Sequence, residues 1–171
     1  ALASAAAETA RARGAEVKLL HLSAMQFDPN LAHGYKQRQD HEPDLQLFLD
    51  AVRWCDTFIL VHPLWWGAAP AKLKGLIDRV FLPGIAFAYE GDGHFPKKLF
   101  EGRTARVLIT ADTPPWYLWL GYRNGWLNVL RRQILDFVGL KVTHMKVVGT
   151  IRDATPARTE SFFAEARKLA G

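Results

Sequence analysis

The sequence predicts a single α/β domain built around a doubly wound parallel sheet. Helical and strand-like hydrophobic patterns alternate along the chain, and the run 57–61 is continuously apolar, as in a strand buried on both faces. No repeat, low-complexity tail or flexible linker divides the 171 residues. A chain of this length can bury a sizeable core as one domain. Alternating helices and strands of this kind are typical of layered α/β folds.

The predicted helices carry apolar residues at three- and four-residue steps and have recognisable end signals. The first stops at Gly14, and the last is capped by Thr155 or Asp153, with Pro156 in its first turn. The four earlier helices are predicted over residues 1–13, 44–54, 70–82 and 126–138. The inner face of the last helix is predicted to consist of Phe162, Phe163, Ala166 and Leu169.

The predicted strands are short apolar runs that lie between these helices. They cover residues 17–22, 57–62, 105–110 and 146–151, and long loops are predicted over residues 23–43 and 83–96.

The element order begins with a helix, which is unusual for a doubly wound sheet, where that helix follows a strand. Without such a strand, the predicted strands 17–22 and 57–62 have no common neighbour, and two buried edges stay unpaired. We therefore expect the natural protein to extend upstream by a strand and a loop. The alternative is a rearranged four-stranded sheet.

Composition excludes several classes of protein. The net charge of +5 comes from scattered Lys and Arg, which indicates a solvated surface and not a nucleic-acid footprint. No stretch reaches the roughly 18 apolar residues of a membrane span, and the Ala-rich start, interrupted by Glu8 and Arg11, is not a signal peptide. The single cysteine, Cys55, predicts a reducing, cytoplasmic location. The histidines show no metal-ligand spacing, so no metal site is expected.

An aromatic turn follows the central predicted strand. Two indoles exposed between a strand and a helix are costly in water, so we expect a flat apolar group such as a flavin ring to cover them. Adjacent side chains on a strand point to opposite faces, so at most one indole is expected in the core. The turn consists of Pro63, Leu64, Trp65, Trp66 and Gly67.

This turn and the helix after it resemble the signature of the flavodoxin-like NAD(P)H:quinone oxidoreductase family. That family includes modulator-of-drug-activity type proteins and ancillary subunits of glutathione-gated potassium efflux systems. The central match runs from Pro63 through Lys74-Gly75 and Asp78-Arg79-Val80 to Tyr89. Further matches are Phe27-Asp28-Pro29, Thr110-Ala111-Asp112-Thr113-Pro114 and Phe137-Val138-Gly139.

The resemblance implies a flavodoxin-like sheet of order 2-1-3-4-5, whose first strand and phosphate loop would lie in the expected upstream segment. It implies a cytoplasmic homodimer that binds FMN or FAD, takes hydride from NAD(P)H and reduces a quinone by two electrons. The alternatives are an azo- or nitroreductase and a flavin-binding ancillary subunit of a membrane transporter. A one-electron carrier fits less well, because the chain is basic and has a long aromatic loop.

The resemblance also assigns residues. The flavin would lie against Pro63–Gly67 and against Thr110, Ala111, Asp112 and Thr113. Phe87 and Tyr89 would enter the partner subunit's substrate pocket, and Trp116 would line the ring. Tyr117 takes the position of a family tyrosine after a small gap, but the histidine that follows it in the family is absent. Arg123 lies in that stretch, where it could offset charge on the reduced flavin.

For three features, a purely structural interpretation stays open beside the functional one. Asp112 could cap the following turn, as Asp often does, instead of contacting flavin through its backbone. His62 could lie beside the flavin or could simply be hydrogen-bonded at a strand end. The Gly91-Asp92-Gly93 run lacks the strand-to-helix context of a phosphate loop.

Overall fold

The computed structural model describes residues 1–89 and 96–171, so the Gly91-Asp92-Gly93 run lies outside the described residues. The helices are α1 (Leu2–Ala12), α2 (Pro43–Trp54), α3 (Ala71–Val80), α4 (Pro115–Leu120), α5 (Gly125–Asn128), α6 (Asp136–Val138) and α7 (Pro156–Lys168), with a π-helical segment (Val129–Leu135) between α5 and α6. The strands are β1 (Thr57–Pro63), β2 (Phe87–Ala88), β3 (Lys97–Lys98), β4 (Arg103–Thr110) and β5 (Leu140–Val148).

A parallel sheet of order β1-β4-β5 forms the centre of the domain. Pro63 pairs with Thr110, and Thr110 pairs in turn with Val148, so the three strands end side by side. We call this end of the sheet the carboxyl edge. Ligands of open α/β sheets bind beyond such an edge, because loops from several strands meet there.

Both faces of the sheet are covered, as the continuous apolar run predicts. On β1, Phe58 and Leu60 pack against the larger core cluster, which includes α2 and α3. Ile59 and Val61 pack on the opposite face, with residues of α1 and α7. This alternation places β1 between two helical layers, which is the arrangement that makes a parallel strand apolar throughout.

The predicted strand 17–22 is wrong: the segment forms no strand and faces β1 across a cleft of about 810 Å³. The cleft is walled by α1 on one side and by α3 on the other, through residues such as Ala7 and Leu73. A strand exists only beside a neighbour at hydrogen-bonding distance. Among the described residues β1 pairs with β4 alone, so the free edge that the sequence analysis anticipates lies along this cleft.

Other boundaries also differ from the prediction. β5 starts at Leu140 and not near Lys146, because Gly139, at φ +103°, ends the preceding helix and turns the chain directly into the strand. The predicted helix 126–138 contains a π-helical middle, and α4 lies in a stretch for which no helix was predicted. Thr155 is the cap of α7, since its hydroxyl accepts a hydrogen bond from the Arg158 N–H.

The long loop over residues 23–42 is held against α3 by Arg79, which is completely buried. The Arg79 guanidinium donates to the carboxylate of Glu42 at 2.8 Å, to the Asp40 carbonyl at 2.9 Å and to the Asp28 carbonyl. Burial alone would raise the pKa of Glu42, but hydrogen bonds from Arg79 and the Asp28 N–H outweigh it and lower this pKa to about 2. We call this group the Arg79 clamp.

A close backbone approach reinforces the Arg79 clamp. A Cβ placed on Gly75 of α3 would come within 2.4 Å of the Pro29 side chain and 2.7 Å of the Pro29 carbonyl oxygen. The glycine is therefore required by packing, although glycine weakens a helix interior.

Candidate functional site at the carboxyl edge

The aromatic turn is a tight hairpin at the end of β1. Trp65 and Ala68 exchange both backbone hydrogen bonds at 2.9 Å, and the two residues between them, Trp66 and Gly67, have φ of +51° and +75°. Two left-handed central residues are the pattern of a type I′ turn. Asn and Gly suit this conformation, whereas a bulky side chain adopts it at a steric cost.

Both indoles are displayed to solvent. Trp66 is fully exposed and Trp65 is 60% exposed, so neither belongs to the core. The expectation that at most one indole is in the core is therefore confirmed. The turn combines a strained backbone with two exposed aromatic rings, a combination that contributes nothing to core packing.

Backbone strain gathers in the loops of this edge. In the described part of the chain, the non-glycine residues with positive φ are Trp66, Arg123, Asn124 and Thr150. Trp66 follows β1, Thr150 follows β5, and the other two lie between α4 and α5, downstream of β4. Such outliers persist only where the surroundings enforce them, and they cluster at functional sites.

The second loop of the site follows β4 and is tied to both neighbouring strand ends. The Leu64 N–H donates to the Thr110 carbonyl at 2.7 Å, and the Ala111 N–H donates to the Val148 carbonyl at 2.9 Å. The Asp112 carboxylate accepts from the N–H and from the guanidinium of Arg152, each at 3.0 Å. The side chain of Asp112 thus joins two loops of the edge, and the prediction that it caps the following turn is wrong.

The two loops together fit a flavin. The backbone N–H groups of Trp66, Gly67, Asp112 and Thr113 have no hydrogen-bond partner within the described part of the protein. They are donors of the kind that flavin carbonyls and ring nitrogens require. A Cβ on Gly67 would meet nothing within 4 Å, so a planar ring could approach the backbone there.

Helix α4 brings further aromatic rings to the surface. Tyr117 makes edge-to-face contacts with Trp116 at 5.6 Å and with Tyr122 at 5.3 Å between ring centroids. Leu118 is buried and anchors the helix, while the three rings remain exposed. The Arg123 guanidinium forms no ion pair with another described residue, so its charge is available. The catalytic roles of Tyr117 and Arg123 stay predictions.

Phe87 and Tyr89 occupy different environments. Phe87 is only 6% exposed and packs edge-to-face on Phe137, at 5.1 Å, inside the core of its own chain. Tyr89 is 64% exposed and contacts Phe87 at 5.8 Å. Only the Tyr89 ring is therefore presented to solvent, where a substrate or a second subunit could meet it.

His62 immediately precedes the aromatic turn and is hydrogen-bonded, as the simpler interpretation predicts. Its Nδ1 lies 2.8 Å from the Pro63 carbonyl oxygen and its Nε2 lies 3.4 Å from the indole Nε1 of Trp126. Burial lowers the pKa of His62, against the effect of the Pro63 carbonyl. Sequence reasoning did not assign Trp126 to the site, because its partner is 64 positions away.

Neither a metal-binding cluster nor a membrane-spanning helix is found among the described residues. No group of three or more His, Cys, Asp or Glu side chains could hold a metal ion among residues 1–89 and 96–171. Within the same ranges, every helix is too short or too polar to cross a bilayer.

Comparison with known proteins identifies the family. A family profile described as "Flavodoxin-like fold" matches residues 1–170. An uncharacterized NAD(P)H oxidoreductase of Haemophilus influenzae is 27% identical over 155 residues, covering 88% of this chain and 76% of that protein. An FMN-dependent NADH:quinone oxidoreductase of Cereibacter sphaeroides is 32% identical over 109 residues, covering 61% of this chain. The chain spans about half the length (53%) of that relative.

Solved structures agree on the fold. The NAD(P)H:quinone oxidoreductase from Methanothermobacter marburgensis superposes with a TM-score of 0.75 at 22% identity, covering 99% of this chain and 87% of that one. Smu.1420 from Streptococcus mutans superposes with a TM-score of 0.78 at 23% identity, covering 99% and 92%. Since the profile spans nearly the whole chain and the sheet has helices on both faces, this protein belongs to the flavodoxin-like family, in which its relatives are named as NAD(P)H and quinone oxidoreductases.

Proposed function

We propose that this protein is a flavin-dependent NAD(P)H:quinone oxidoreductase whose flavin, FMN or FAD, lies against Pro63–Gly67 and Thr110–Thr113. The observation that carries the proposal is Trp66, a fully exposed indole on a left-handed residue at the carboxyl edge. A folded protein gains nothing from this arrangement unless a ligand covers the ring. The names of the relatives supply the reaction class.

In the proposed reaction, the two loops would bind and orient the flavin. When bound, a flavin would supply the acceptor for hydride from NAD(P)H and the donor of two electrons to a quinone. The free N–H groups of Trp66, Gly67, Asp112 and Thr113 would hold and orient the ring and would favour negative charge on it. The exposed rings of Trp65 and Trp66 would exclude water from one side of a bound flavin.

Tyr117 and Arg123 are the residues that we propose to stabilise charge on the reduced ring. Tyr117 offers a hydroxyl as a hydrogen-bond donor, and Arg123 offers a permanent positive charge without transferring a proton. No histidine is required, because hydride transfer to a flavin needs no protein acid.

The substrate side is proposed to be aromatic. Trp116 and Tyr89 present exposed rings on which a quinone can stack, with Phe87 supporting Tyr89 from the core. The family resemblance assigns both Phe87 and Tyr89 to the pocket of a second copy of the chain; we propose that Tyr89 alone takes this role, because Phe87 is buried in its own chain. Sedimentation of the purified protein would distinguish a homodimer from a monomer.

A flavin titration tests the proposal. Purified protein is mixed with FMN or FAD, and bound flavin is measured by fluorescence quenching and absorbance, followed by NADPH oxidation with menadione. We expect saturable binding of one flavin and turnover that needs no partner protein. Trp66→Ala should weaken binding, whereas Trp54→Ala, at the far end of α2, should not. The test uses full-length protein, and its failure to bind either flavin would refute the proposal.

The alternatives give different results in the same assay. An ancillary subunit of a membrane transporter would bind flavin but turn over negligibly, and it would co-purify with the transporter. An azoreductase would reduce an azo dye at a rate comparable with menadione.

A further inference from the structure

We propose that His62 and Trp126 form a positioning pair, which joins helix α5 to the end of β1 and holds the aromatic turn in shape for flavin. This inference rests on the proposed function and adds two residues to it. Neither residue belongs to the proposed flavin contacts, and the two lie on different elements of the carboxyl edge.

The hydrogen-bond pattern determines the tautomer of His62. The Pro63 carbonyl can only accept, so the Nδ1 that lies 2.8 Å from it carries the proton. The Nε2 is then an acceptor, and the indole N–H of Trp126, which can only donate, points its proton at it across 3.4 Å. A neutral imidazole satisfies both partners, whereas a protonated one would place two donors against each other.

The position of His62 at the end of β1 allows the pair to fix the backbone of the aromatic turn. His62 is 4% exposed and is the next-to-last residue of β1, so the bond to the Pro63 carbonyl fixes the first peptide of the turn. The following N–H, that of Leu64, is bonded to Thr110 of the second flavin loop. The imidazole and β4 therefore hold consecutive groups of the same short segment.

Trp126 connects this point to the helical layer. Its ring is partly buried against the main core and meets the His62 ring edge-on, with centroids 6.1 Å apart and planes at 85°. It lies three residues before the π-helical segment Val129–Leu135. Short π-helical insertions are frequent at functional sites because they redirect the side chains of a helix.

The contrast with the other indoles of the edge supports the assignment. Trp65 and Trp66 are exposed, with no side-chain hydrogen bond to another described residue. Trp126, by contrast, is held within the protein by its hydrogen bond to His62. We therefore assign Trp126 and His62 to preorganisation of the site, and Trp65 and Trp66 to contact with the ligand.

The experiment compares His62→Phe, His62→Gln and Trp126→Phe with the wild-type protein. Flavin dissociation constants are measured by fluorescence quenching, and the indole N–H signals are observed by ¹⁵N NMR with and without flavin. We expect His62→Phe and Trp126→Phe each to weaken flavin binding by about tenfold, the effect of one buried hydrogen bond. His62→Gln, which can donate and accept, should recover part of that loss.

The NMR signal separates positioning from general stability. In flavin-free protein, the Trp126 indole proton should shift upfield in His62→Phe, because it loses its acceptor. The matched controls are His33→Phe, on an exposed loop, and Trp54→Phe, at the opposite end of the sheet. Both should keep the wild-type flavin affinity and the wild-type Trp126 indole signal.

Two failures are distinguishable. If wild-type protein binds flavin and all three variants bind it equally well, the positioning pair is refuted while the proposed function stands. If wild-type protein binds neither FMN nor FAD, the proposed function itself is refuted.

Discussion

The loop over residues 23–42 and the aromatic turn, Pro63–Gly67, are held in opposite ways. The first is long and polar, yet a completely buried arginine fastens it to α3 through Glu42 and two backbone carbonyls. The second is short and aromatic, and Trp66 within it is fully exposed on a left-handed backbone. Buried side-chain hydrogen bonds thus hold the long loop, whereas the aromatic turn keeps the left-handed backbone and the unpaired N–H groups.

The difference shows how each loop depends on its surroundings. The clamped loop relies on one charge pair, and removing one partner leaves the other without compensation. The aromatic turn relies on its hairpin hydrogen bonds and on His62 immediately before it, so its side chains can change with little effect on the fold. Three substitutions or conditions test this contrast.

Arg79→Met should have the largest effect. It leaves Glu42 and the carbonyls of Asp28 and Asp40 without their donor, and we expect a loss of about 3 kcal/mol in the free energy of unfolding. Urea denaturation followed by circular dichroism measures this loss. Arg131→Met is the matched control, because its ion pair with Asp136, at 3.7 Å, is on the surface and should contribute below about 1 kcal/mol. Equal losses in both variants would contradict the Arg79 clamp.

Acidification should also weaken the Arg79 clamp, with a smaller loss of stability than Arg79→Met causes. The pKa of Glu42 is about 2 in the folded protein and near 4.5 when unperturbed, so the folded state binds the proton more weakly. The stabilisation is therefore fully present above about pH 4.5 and is lost as the pH falls toward 2. Urea midpoints measured between about pH 5 and pH 3 test this. In Glu42→Gln the dependence should be shallower; an unchanged slope would show that other carboxylates cause it.

Trp66→Asn should have the smallest effect on stability and the opposite sign. Asn adopts left-handed backbone at lower cost, so the free energy of unfolding should rise by about 1 kcal/mol. Flavin affinity should fall at the same time, as expected when strain serves function. The control is Trp119→Asn, which removes another exposed indole, 66% exposed and on helix α4, and should give no gain. If the Trp66→Asn protein binds flavin with wild-type affinity, the flavin ring does not lie against Trp66.

Much of the fold follows from local pattern. The helices α2, α3 and α7 have apolar residues at helical spacing and clear end signals, and the structure reproduces them within one or two residues. Helix α4 was missed because the pattern of Pro114-Pro115 followed by aromatic residues is typical of a loop. Only one of its six residues, Leu118, is buried, which is too few to produce a helical period.

The candidate site was predictable in part. Pro63–Gly67 and Thr110–Thr113 could be found because each follows a strongly apolar strand, and parallel strands end at one edge. The bond between Asp112 and Arg152, by contrast, joins residues 40 positions apart, and nothing in either local sequence indicates the partner.

By itself, the sequence determined the helices α2, α3 and α7, the buried strands β1 and β4, and the place of the two indoles after β1. Those properties depend on neighbouring residues, whose side-chain periods can be read directly. Only the tertiary structure decided that residues 17–22 remain outside the sheet, that Arg79 is buried and that Trp126 meets His62. Each of these depends on a partner distant in the chain, since a strand needs a paired edge and a buried charge or imidazole needs its complement.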